Sequence, residues 1–185
     1  LYTTGDIMIR TTMVIKMITI PKLPIKELRK LKTGINTNLL IHLKIPQPKV
    51  AILAAVETVN PQMQATLDAA ALCKMADRGQ ISGALLDGPL AFDNAVSAAA
   101  AHIKGIESEV AGRADVLVVP DLESGNMLAK QLQYFAGADS AGIVLGARVP
   151  IVLTSRADSI RSRLASTLVM VLLADAQRRK AGVIA

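Results

Sequence analysis

The sequence predicts an α/β fold with a mostly parallel sheet that carries helices on both faces. Apolar runs of strand length alternate with helical stretches throughout residues 50–185. Aromatic residues are only 2% of the 185 residues and Trp is absent, so Ala, Val, Ile, Leu and Met must fill the core. Such a core is typical of sheets packed under Ala-rich helices. Polar clusters follow several apolar runs directly, as loops at the ends of buried strands do.

The individual elements follow in chain order. The apolar runs predict strands at residues 50–56, 81–86, 114–119, 141–145 and 150–154. Helical spacing and Ala-rich composition predict helices at residues 66–77, 93–104, 127–136 and 158–180. Gly79 and Gly105 end the first two helices, because glycine readily takes the left-handed conformation that closes a helix.

Residues 1–49 differ in composition from the rest of the chain. They contain no Ala, whereas residues 50–185 contain 28. They also hold nine Lys/Arg against two acidic residues, while residues 50–185 hold twelve against thirteen. We therefore predict a boundary at residue 50, with residues 1–49 unassigned. A basic arm that binds membrane or RNA is the alternative, and the lack of a clustered basic face and of interleaved aromatic residues disfavours it.

Several classes of function lack support in the sequence. The longest apolar run of the second half, residues 168–174, is far shorter than the roughly 20 residues that cross a bilayer. With one cysteine and no secretory signal, the chain is predicted to be cytoplasmic, with neither membrane nor nucleic acid as a partner. Phosphate-loop, dinucleotide, serine-hydrolase and paired-cysteine motifs are missing. Cys73 is predicted to be a buried structural thiol, and His42 and His102 lack metal-ligand spacing.

Three polar clusters follow predicted strands, where ligands of parallel sheets usually bind. They are Asp87-Gly88-Pro89-Leu90 with Asp93-Asn94, Asp121-Leu122-Glu123-Ser124-Gly125-Asn126 with Lys130, and Thr154-Ser155-Arg156-Ala157-Asp158-Ser159.

In the second cluster, Gly125 and Asn126 are predicted to open a helix, whose free N–H groups favour an anion. Lys130 lies one turn further along the same face. The alternative is a simple helix cap by Ser124 or Asn126.

The third cluster sets a hydroxyl, Ser155, beside a guanidinium, Arg156. An arginine can grip a phosphate through two parallel hydrogen bonds. Asp158 and Ser159 have a competing interpretation as caps of the final helix.

The order and the amino-acid sequences of these clusters resemble those of the phosphate acetyl/butyryltransferase family, from about Pro46 to about Ala176. The matching pieces are PKVAILAAVETVNPQMQATLDAAALCKMADRGQISGALLDGPLAFDNAVS, AGRADVLVVPDLESGNMLAKQL and AGIVLGARVPIVLTSRADS. The motif TSRADS is closer to that of butyryltransferases, and of acetyltransferase domains fused behind a hydratase-like domain, than to that of acetyltransferases with the motif SRG.

The resemblance implies two αβα domains, related in fold to isocitrate and isopropylmalate dehydrogenases, with the active site in the cleft between them. It implies a homodimer that converts acyl-CoA and phosphate into acyl phosphate and CoA by direct attack. No cofactor is implied, because coenzyme A is a substrate. Residues 1–49 would then be a remnant or misread end of the first domain.

The resemblance also implies roles for individual residues. Ser155 would polarise the reacting group and Arg156 would hold phosphate. Acetyltransferases carry an aspartate base where this chain has Ser162, so Asp158 is the nearest substitute base. The implied substrate-binding residues are Asp87, Asp121, Gly125, Asn126 and Lys130.

Two alternatives accompany this interpretation. One is a truncated, catalytically silent fragment of the same family that binds CoA or serves in oligomer packing. The other is a metal-dependent decarboxylating dehydrogenase of the same fold, which would need a cluster of Asp ligands and a nucleotide loop that the sequence lacks.

Overall fold

The structure is a computed structural model that describes residues 18–19, 45, 47–145, 149 and 151–180. The chain divides into two compact units at Gly125 and Asn126. The predictions made for residues 1–44 lie outside the described residues, apart from Ile18 and Thr19.

The first unit is built on a parallel sheet. Its strands are β1 (Ile18–Thr19), β2 (Lys49–Leu53), β3 (Leu85–Leu90) and β4 (Val116–Val119), in the spatial order β1-β4-β2-β3. Every neighbouring pair is parallel, and Val50 of β2 lies opposite both Val116 and Leu86. The predicted α/β class with a mostly parallel sheet is confirmed.

The described residues of this unit also form three helices and the start of a fourth. They are α1 (Gln64–Asp77), α2 (Phe92–Val96) and α3 (Ala98–Ile103), and α4 (Leu122–Tyr134) continues into the second unit. The buried side chains of β2 and β4 form the core, and α1 packs Ala69 and Leu72 against them. Short aliphatic side chains therefore fill this core, as the composition predicts.

Strand β3 differs from its prediction. It begins at Leu85 instead of residue 81 and continues through Asp87-Gly88-Pro89, where the sequence predicts that the strand has already ended. Ala51 lies opposite Asp87 but Leu53 lies opposite Leu90, so β3 holds one residue more than β2 over this stretch. Such a bulge accommodates residues that otherwise favour turns, and Gly88 allows close approach to Ile52.

The helix predicted at residues 93–104 is two helices, α2 and α3. Ser97 interrupts them with an extended backbone (φ −117°, ψ 114°). Its hydroxyl accepts the N–H of Ala100 at 3.3 Å and so caps α3. Periodicity alone does not show this break because alanines occupy both sides of it.

The second unit contains the rest of α4, the strands β5 (Ile143–Val144) and β6 (Ile151–Val152), and the helix α5 (Ile160–Lys180). β5 and β6 are antiparallel. Only six residues join them, which is too short for the crossover that parallel strands need. Among the described residues, no helix has the length and apolarity required to cross a membrane.

Candidate active site

Ser155 and Asp158 close a tight turn that follows β6. The Ser155 N–H donates to Asp158 Oδ2 at 2.6 Å, and the Asp158 N–H donates to the Ser155 carbonyl at 3.1 Å. The Ala157 N–H donates to Ser155 Oγ at 3.3 Å. These bonds hold the backbone of the turn, so the Cα atoms from which the side chains of residues 155–158 extend are fixed.

The Asp158 carboxylate faces a cation across the same unit. Its second oxygen, Oδ1, lies 4.0 Å from Lys130 Nζ, and the Asp158 side chain is only 12% exposed. Lys130 also donates to Gln133 Oε1 at 3.3 Å and lies 5.8 Å from the centre of the Tyr134 ring. The structure thus brings together two predicted site residues that are 28 positions apart in the sequence.

Arg156 is exposed at the corner of this turn. Its guanidinium makes no hydrogen bond or ion pair with the described residues, although its carbonyl accepts Arg163 Nη2 at 3.2 Å. A free guanidinium on a hydrogen-bonded turn can take both oxygens of a phosphate without first breaking an internal pair.

The capping alternative for Asp158 is wrong. Helix α5 begins at Ile160, and the Ser162 N–H donates to Ser159 Oγ at 3.1 Å. Ser159 is therefore the N-cap, because it lies one residue before the helix and its hydroxyl accepts the N–H of the third helical residue. The Asp158 carboxylate is left for the turn and for Lys130.

Ser162, the position where the resemblance implies an aspartate in acetyltransferases, is buried and 6% exposed. Its hydroxyl lies 3.1 Å from Ser159 Oγ and 3.3 Å from Ser140 Oγ. Ser166 Oγ donates to the Ser162 carbonyl at 2.7 Å and accepts the Gly142 N–H at 3.0 Å. Ser162 thus belongs to a cluster of hydroxyls that packs the start of α5.

The predicted helix start at Gly125 and Asn126 is also wrong. Helix α4 begins at Leu122, and Asp121 Oδ1 caps it by accepting the Ser124 N–H at 2.7 Å. The Gly125 N–H donates to the Asp121 carbonyl at 3.1 Å inside the first turn, so it is not free for an anion. The exposed Asn126 remains one helical turn from Lys130, as predicted.

Asp87 lies within β3 rather than in a loop beyond it. Its side chain is half-buried, and its Oδ1 accepts the N–H of Gly88 at 2.8 Å. The carboxylate therefore supports the bulge in its own strand. Its predicted role in substrate binding stays a prediction.

A second polar cluster, consisting of Glu57, Asp93, Asn94 and Lys104, was missed as a unit by the sequence analysis. Lys104 Nζ lies 2.5 Å from Glu57 Oε1 and 3.0 Å from Asp93 Oδ2. The fully buried Asn94 donates to Glu57 at 2.5 Å, while its Oδ1 has no partner among the described residues. Only the position of its acidic members just after β2 and β3 signals this cluster.

The charges of this second cluster stabilise one another. The hydrogen bond from Lys104 lowers the pKa of Glu57 and of Asp93. In return, the hydrogen bonds to Glu57 and then to Asp93 raise the pKa of Lys104. All three groups are therefore held in their charged forms at neutral pH.

Cys73 has the properties of a structural thiol. Its Sγ lies 3.5 Å from the Gly88 carbonyl, and burial, aided by Asp87, raises its pKa to about 12. A thiol that stays protonated is a poor nucleophile. Among the described residues, no group of three His, Cys, Asp or Glu side chains is arranged to hold a metal ion.

The fold is similar to that of solved phosphotransacylases. A branched-chain phosphotransacylase from Enterococcus faecalis V583 superimposes with a TM-score of 0.72 and 30% sequence identity, over 86% of this chain and 58% of that chain. The phosphate acetyl/butaryl transferase family model matches residues 33–171. The chain is a member of that family, and the resemblance drawn from the sequence is confirmed.

Relatives carry both acyl specificities in their names. A phosphate acetyltransferase of Rhizobium meliloti is 63% identical over 148 residues, which are 80% of this chain and 46% of that protein. A phosphate butyryltransferase of Clostridium acetobutylicum is 51% identical over 130 residues, which are 70% of this chain and 43% of that protein. The chain thus spans about half the length of the curated relatives it matches.

Proposed function

We propose that the protein transfers an acyl group between coenzyme A and inorganic phosphate. The observation that carries this proposal is the turn at residues 155–158, where the Asp158 carboxylate lies between the Ser155 N–H and Lys130. The names of the relatives support the same reaction with acetyl or butyryl groups. No cofactor is required beyond coenzyme A, which is itself a substrate.

Arg156 is the proposed phosphate-binding residue. Its exposed guanidinium is unpaired among the described residues and sits on a turn that hydrogen bonds between Ser155 and Asp158 hold in place. Two parallel N–H···O bonds would fix the phosphoryl oxygens and keep the acyl carbon directed at the incoming thiol.

The proposed step toward acyl-CoA forms a bond between the CoA sulfur and the acyl carbon. The bond between that carbon and the phosphate oxygen breaks, and phosphate leaves with its electron pair. The thiol proton goes to Asp158, whose carboxylate is within reach of bulk water through its 12% exposed side chain. A thiol with a pKa of roughly 8.5 is mostly protonated at neutral pH, so this proton transfer matters for the rate. Ser155 Oγ would donate to the acyl carbonyl oxygen as negative charge develops there.

We further propose that the protein acts in the cytoplasm as a homodimer and that its ligands are acyl-CoA, coenzyme A, phosphate and acyl phosphate. A single cysteine suits a reducing compartment. Nucleic acid has no role in this proposal, because the basic excess lies within residues 1–49.

A coupled assay tests the proposal directly. The 185-residue chain is incubated with CoA and either acetyl phosphate or butyryl phosphate, and thioester formation is followed by its absorbance. We expect turnover with at least one of the two. Calorimetric binding of CoA without any turnover would overturn the proposal in favour of a silent CoA-binding fragment.

A further inference from the structure

The Lys130 ammonium approaches Asp158 without a direct hydrogen bond to it. Lys130 Nζ lies 4.0 Å from Asp158 Oδ1, which is longer than the roughly 2.9 Å of a direct N–H···O bond. An ammonium carries three N–H donors, and among the described residues Gln133 Oε1 accepts one of them, at 3.3 Å. The Lys130 side chain is 37% exposed. The ammonium therefore keeps donors for a further partner that approaches from solvent.

The orientation of the Asp158 carboxylate does not depend on Lys130. Asp158 Oδ2 accepts the Ser155 N–H at 2.6 Å, and the Asp158 N–H donates to the Ser155 carbonyl at 3.1 Å. These two bonds fix the acid on its own turn, whereas an ion pair at 4.0 Å adds no directional bond. Lys130 therefore contributes charge to this pair, and the turn contributes the geometry.

Two neighbours on α4 hold the Lys130 ammonium in place. Gln133 and Tyr134 lie three and four residues further along the helix, so both share a face with Lys130. Gln133 accepts a hydrogen bond, and the centre of the Tyr134 ring lies 5.8 Å from Nζ, within the roughly 6 Å of a cation–π contact. A charge that is held before the reaction begins needs no reorganisation when an opposite charge develops beside it.

The proton transfer of the proposed reaction moves the negative charge that faces this ammonium. Before the transfer, the charge lies on the Asp158 carboxylate. The S–H bond of CoA then breaks, its electron pair stays on sulfur, and the proton bonds to Asp158 Oδ1, the oxygen that does not accept the Ser155 N–H. The carboxyl group is then neutral and the sulfur is anionic. A cation next to Oδ1 is close to both groups, and it keeps all three of its own protons throughout.

We propose that Lys130 is a further catalytic residue, whose ammonium pairs first with the Asp158 carboxylate and then with the CoA sulfur as the thiol proton moves to Asp158. The inference rests on the proposed acyl transfer and deepens it by dividing the work between two residues. Asp158 takes the proton, and Lys130 stabilises the thiolate that remains. The sulfur then bonds to the acyl carbon, and phosphate leaves with the electron pair of the broken C–O bond.

A double variant separates this role from an indirect effect through Asp158. Lys130→Met should lower kcat/KM for CoA at pH 7 roughly tenfold, the change in thiolate population that one pH unit in thiol ionisation gives. In the Asp158→Asn background, where solvent takes the proton, Lys130→Met should still lower the rate several-fold, because the sulfur still becomes anionic. No further fall in that background would mean that Lys130 acts only through Asp158, and the proposal would then be wrong.

Two further variants separate charge from packing. Lys130→Arg keeps a cation and should retain most of the rate. A Lys130→Arg variant as slow as Lys130→Met would contradict the proposal, because the charge would then not be what matters. Lys74→Met makes the same substitution at an exposed lysine of α1 that pairs with Asp77, and it should leave the rate unchanged. Circular dichroism and thermal melts check that each variant is folded.

The ionisation of bound CoA provides a measurement that needs no turnover. A thiolate absorbs in the ultraviolet, so the 185-residue chain saturated with CoA is titrated with pH in the absence of acyl phosphate. The pH of half-ionisation should be roughly one unit higher for Lys130→Met than for wild type. Asp158 and Arg156 on the turn and Tyr134 on α4 are present in both proteins, so the difference reports the ammonium. Cys73 does not interfere, because burial raises its pKa to about 12.

The outcomes of this titration distinguish the role of Lys130 from the proposed function. CoA that ionises at the same pH on wild type and on Lys130→Met would overturn the role of Lys130, even when the wild-type chain turns over. A shift that depends on Lys130 in a chain without turnover would support that role and overturn the proposed acyl transfer. A wild-type chain that does not bind CoA would overturn both.

Discussion

Lys130 Nζ lies 4.0 Å from Asp158 Oδ1. The other oxygen of that carboxylate accepts the Ser155 N–H at 2.6 Å. One acidic side chain thus fixes the turn that carries Ser155 and Arg156 and also presents a charge next to a cation. Because Ser159 caps α5, loss of charge at Asp158 can be separated from loss of a helix cap.

Asp158→Asn tests the assignment of the base. Asparagine can still accept the Ser155 N–H, so the turn should persist while proton removal is lost. We expect acyl-CoA formation at pH 7 to fall roughly 100-fold, as is typical of a lost general base. The rate should recover as pH approaches the thiol pKa of roughly 8.5. Asp77→Asn, which changes an exposed pair with Lys74, is the control. Near-normal turnover of Asp158→Asn at pH 7 would assign the proton to water.

Arg156→Ala should lower kcat/KM for acyl phosphate more than tenfold, because a two-point grip on the phosphoryl group is lost. The melting temperature should hardly move, since the side chain is exposed and unpaired among the described residues. Arg156→Lys should restore only part of the rate, because an ammonium lacks the planar fork. Arg178→Ala removes an exposed guanidinium from α5 as a control. A parallel fall in activity and melting temperature would indicate a structural role instead.

Lys104→Met should change how stability depends on pH. In the folded protein the pKa of Glu57 lies below its ordinary value of 4.5, and that of Asp93 lies below 3.8. The two carboxylates therefore stabilise the fold above those pH values, and their contribution is lost as pH falls through the folded pKa. The folded pKa of Lys104 lies above its ordinary value of 10.5, so its stabilisation is present below that value and is lost as pH rises through the folded pKa.

The variant should therefore melt at a lower temperature than wild type near pH 7, and the difference should shrink as pH falls below 4.5 and then 3.8, and again as pH rises above 10.5. Thermal melts across this range provide the measurement. Lys74→Met removes a more exposed lysine, whose only ion pair among the described residues is with Asp77, and should produce a smaller change. A pH-independent difference for Lys104→Met would mean that lost packing, and not charge pairing, is responsible.

Gly88→Ala should destabilise the first unit strongly. An added Cβ would lie 2.6 Å from the Ile52 carbonyl oxygen and 2.8 Å from Ile52 Cβ, and backbone cannot yield as a flexible side chain can. We expect a loss of about 3 kcal/mol in unfolding free energy by chemical denaturation, at the upper end for overpacking. Gly79→Ala meets nothing within 4 Å and carries only the strain of a positive φ, about 1–2 kcal/mol. Equal losses for the two variants would contradict the close approach of β3 to β2.

The sequence predicts best those elements that a single physical signal dominates. The apolar runs of the sequence predict β2 and β4 because strands covered on both faces consist almost wholly of apolar residues. Every residue of β4, from Val116 to Val119, is buried, and so is every residue of β2 after Lys49. β3 is shifted because Asp87-Gly88-Pro89 has the chemistry of a turn, and only pairing with β2 makes it a strand. Tertiary contacts override local propensity there.

The same distinction applies to the candidate site, where single residues can be predicted from the sequence but the distances between them cannot. The resemblance marks Ser155, Arg156, Asp158 and Lys130 individually, whereas the distance between Lys130 and Asp158 depends on how α4 and the turn pack. The pairing of Glu57 with Lys104 spans 47 residues without any local pattern. Such pairings follow from strand order, which periodicity does not encode.

The additional residue of β3 determines how the chain tolerates changes in length. Side chains of a regular strand alternate between two faces, so removing one residue exchanges the faces for everything that follows it. At the bulge the outcome differs: deleting Gly88 would restore a regular ladder with β2 and would leave Leu90, which is 2% exposed, opposite Leu53 and on the same face. The bulge thus lets β3 lose one residue without turning its core face, whereas a deletion within the regular pairing of β2 with β4 would exchange the faces of the residues that follow it.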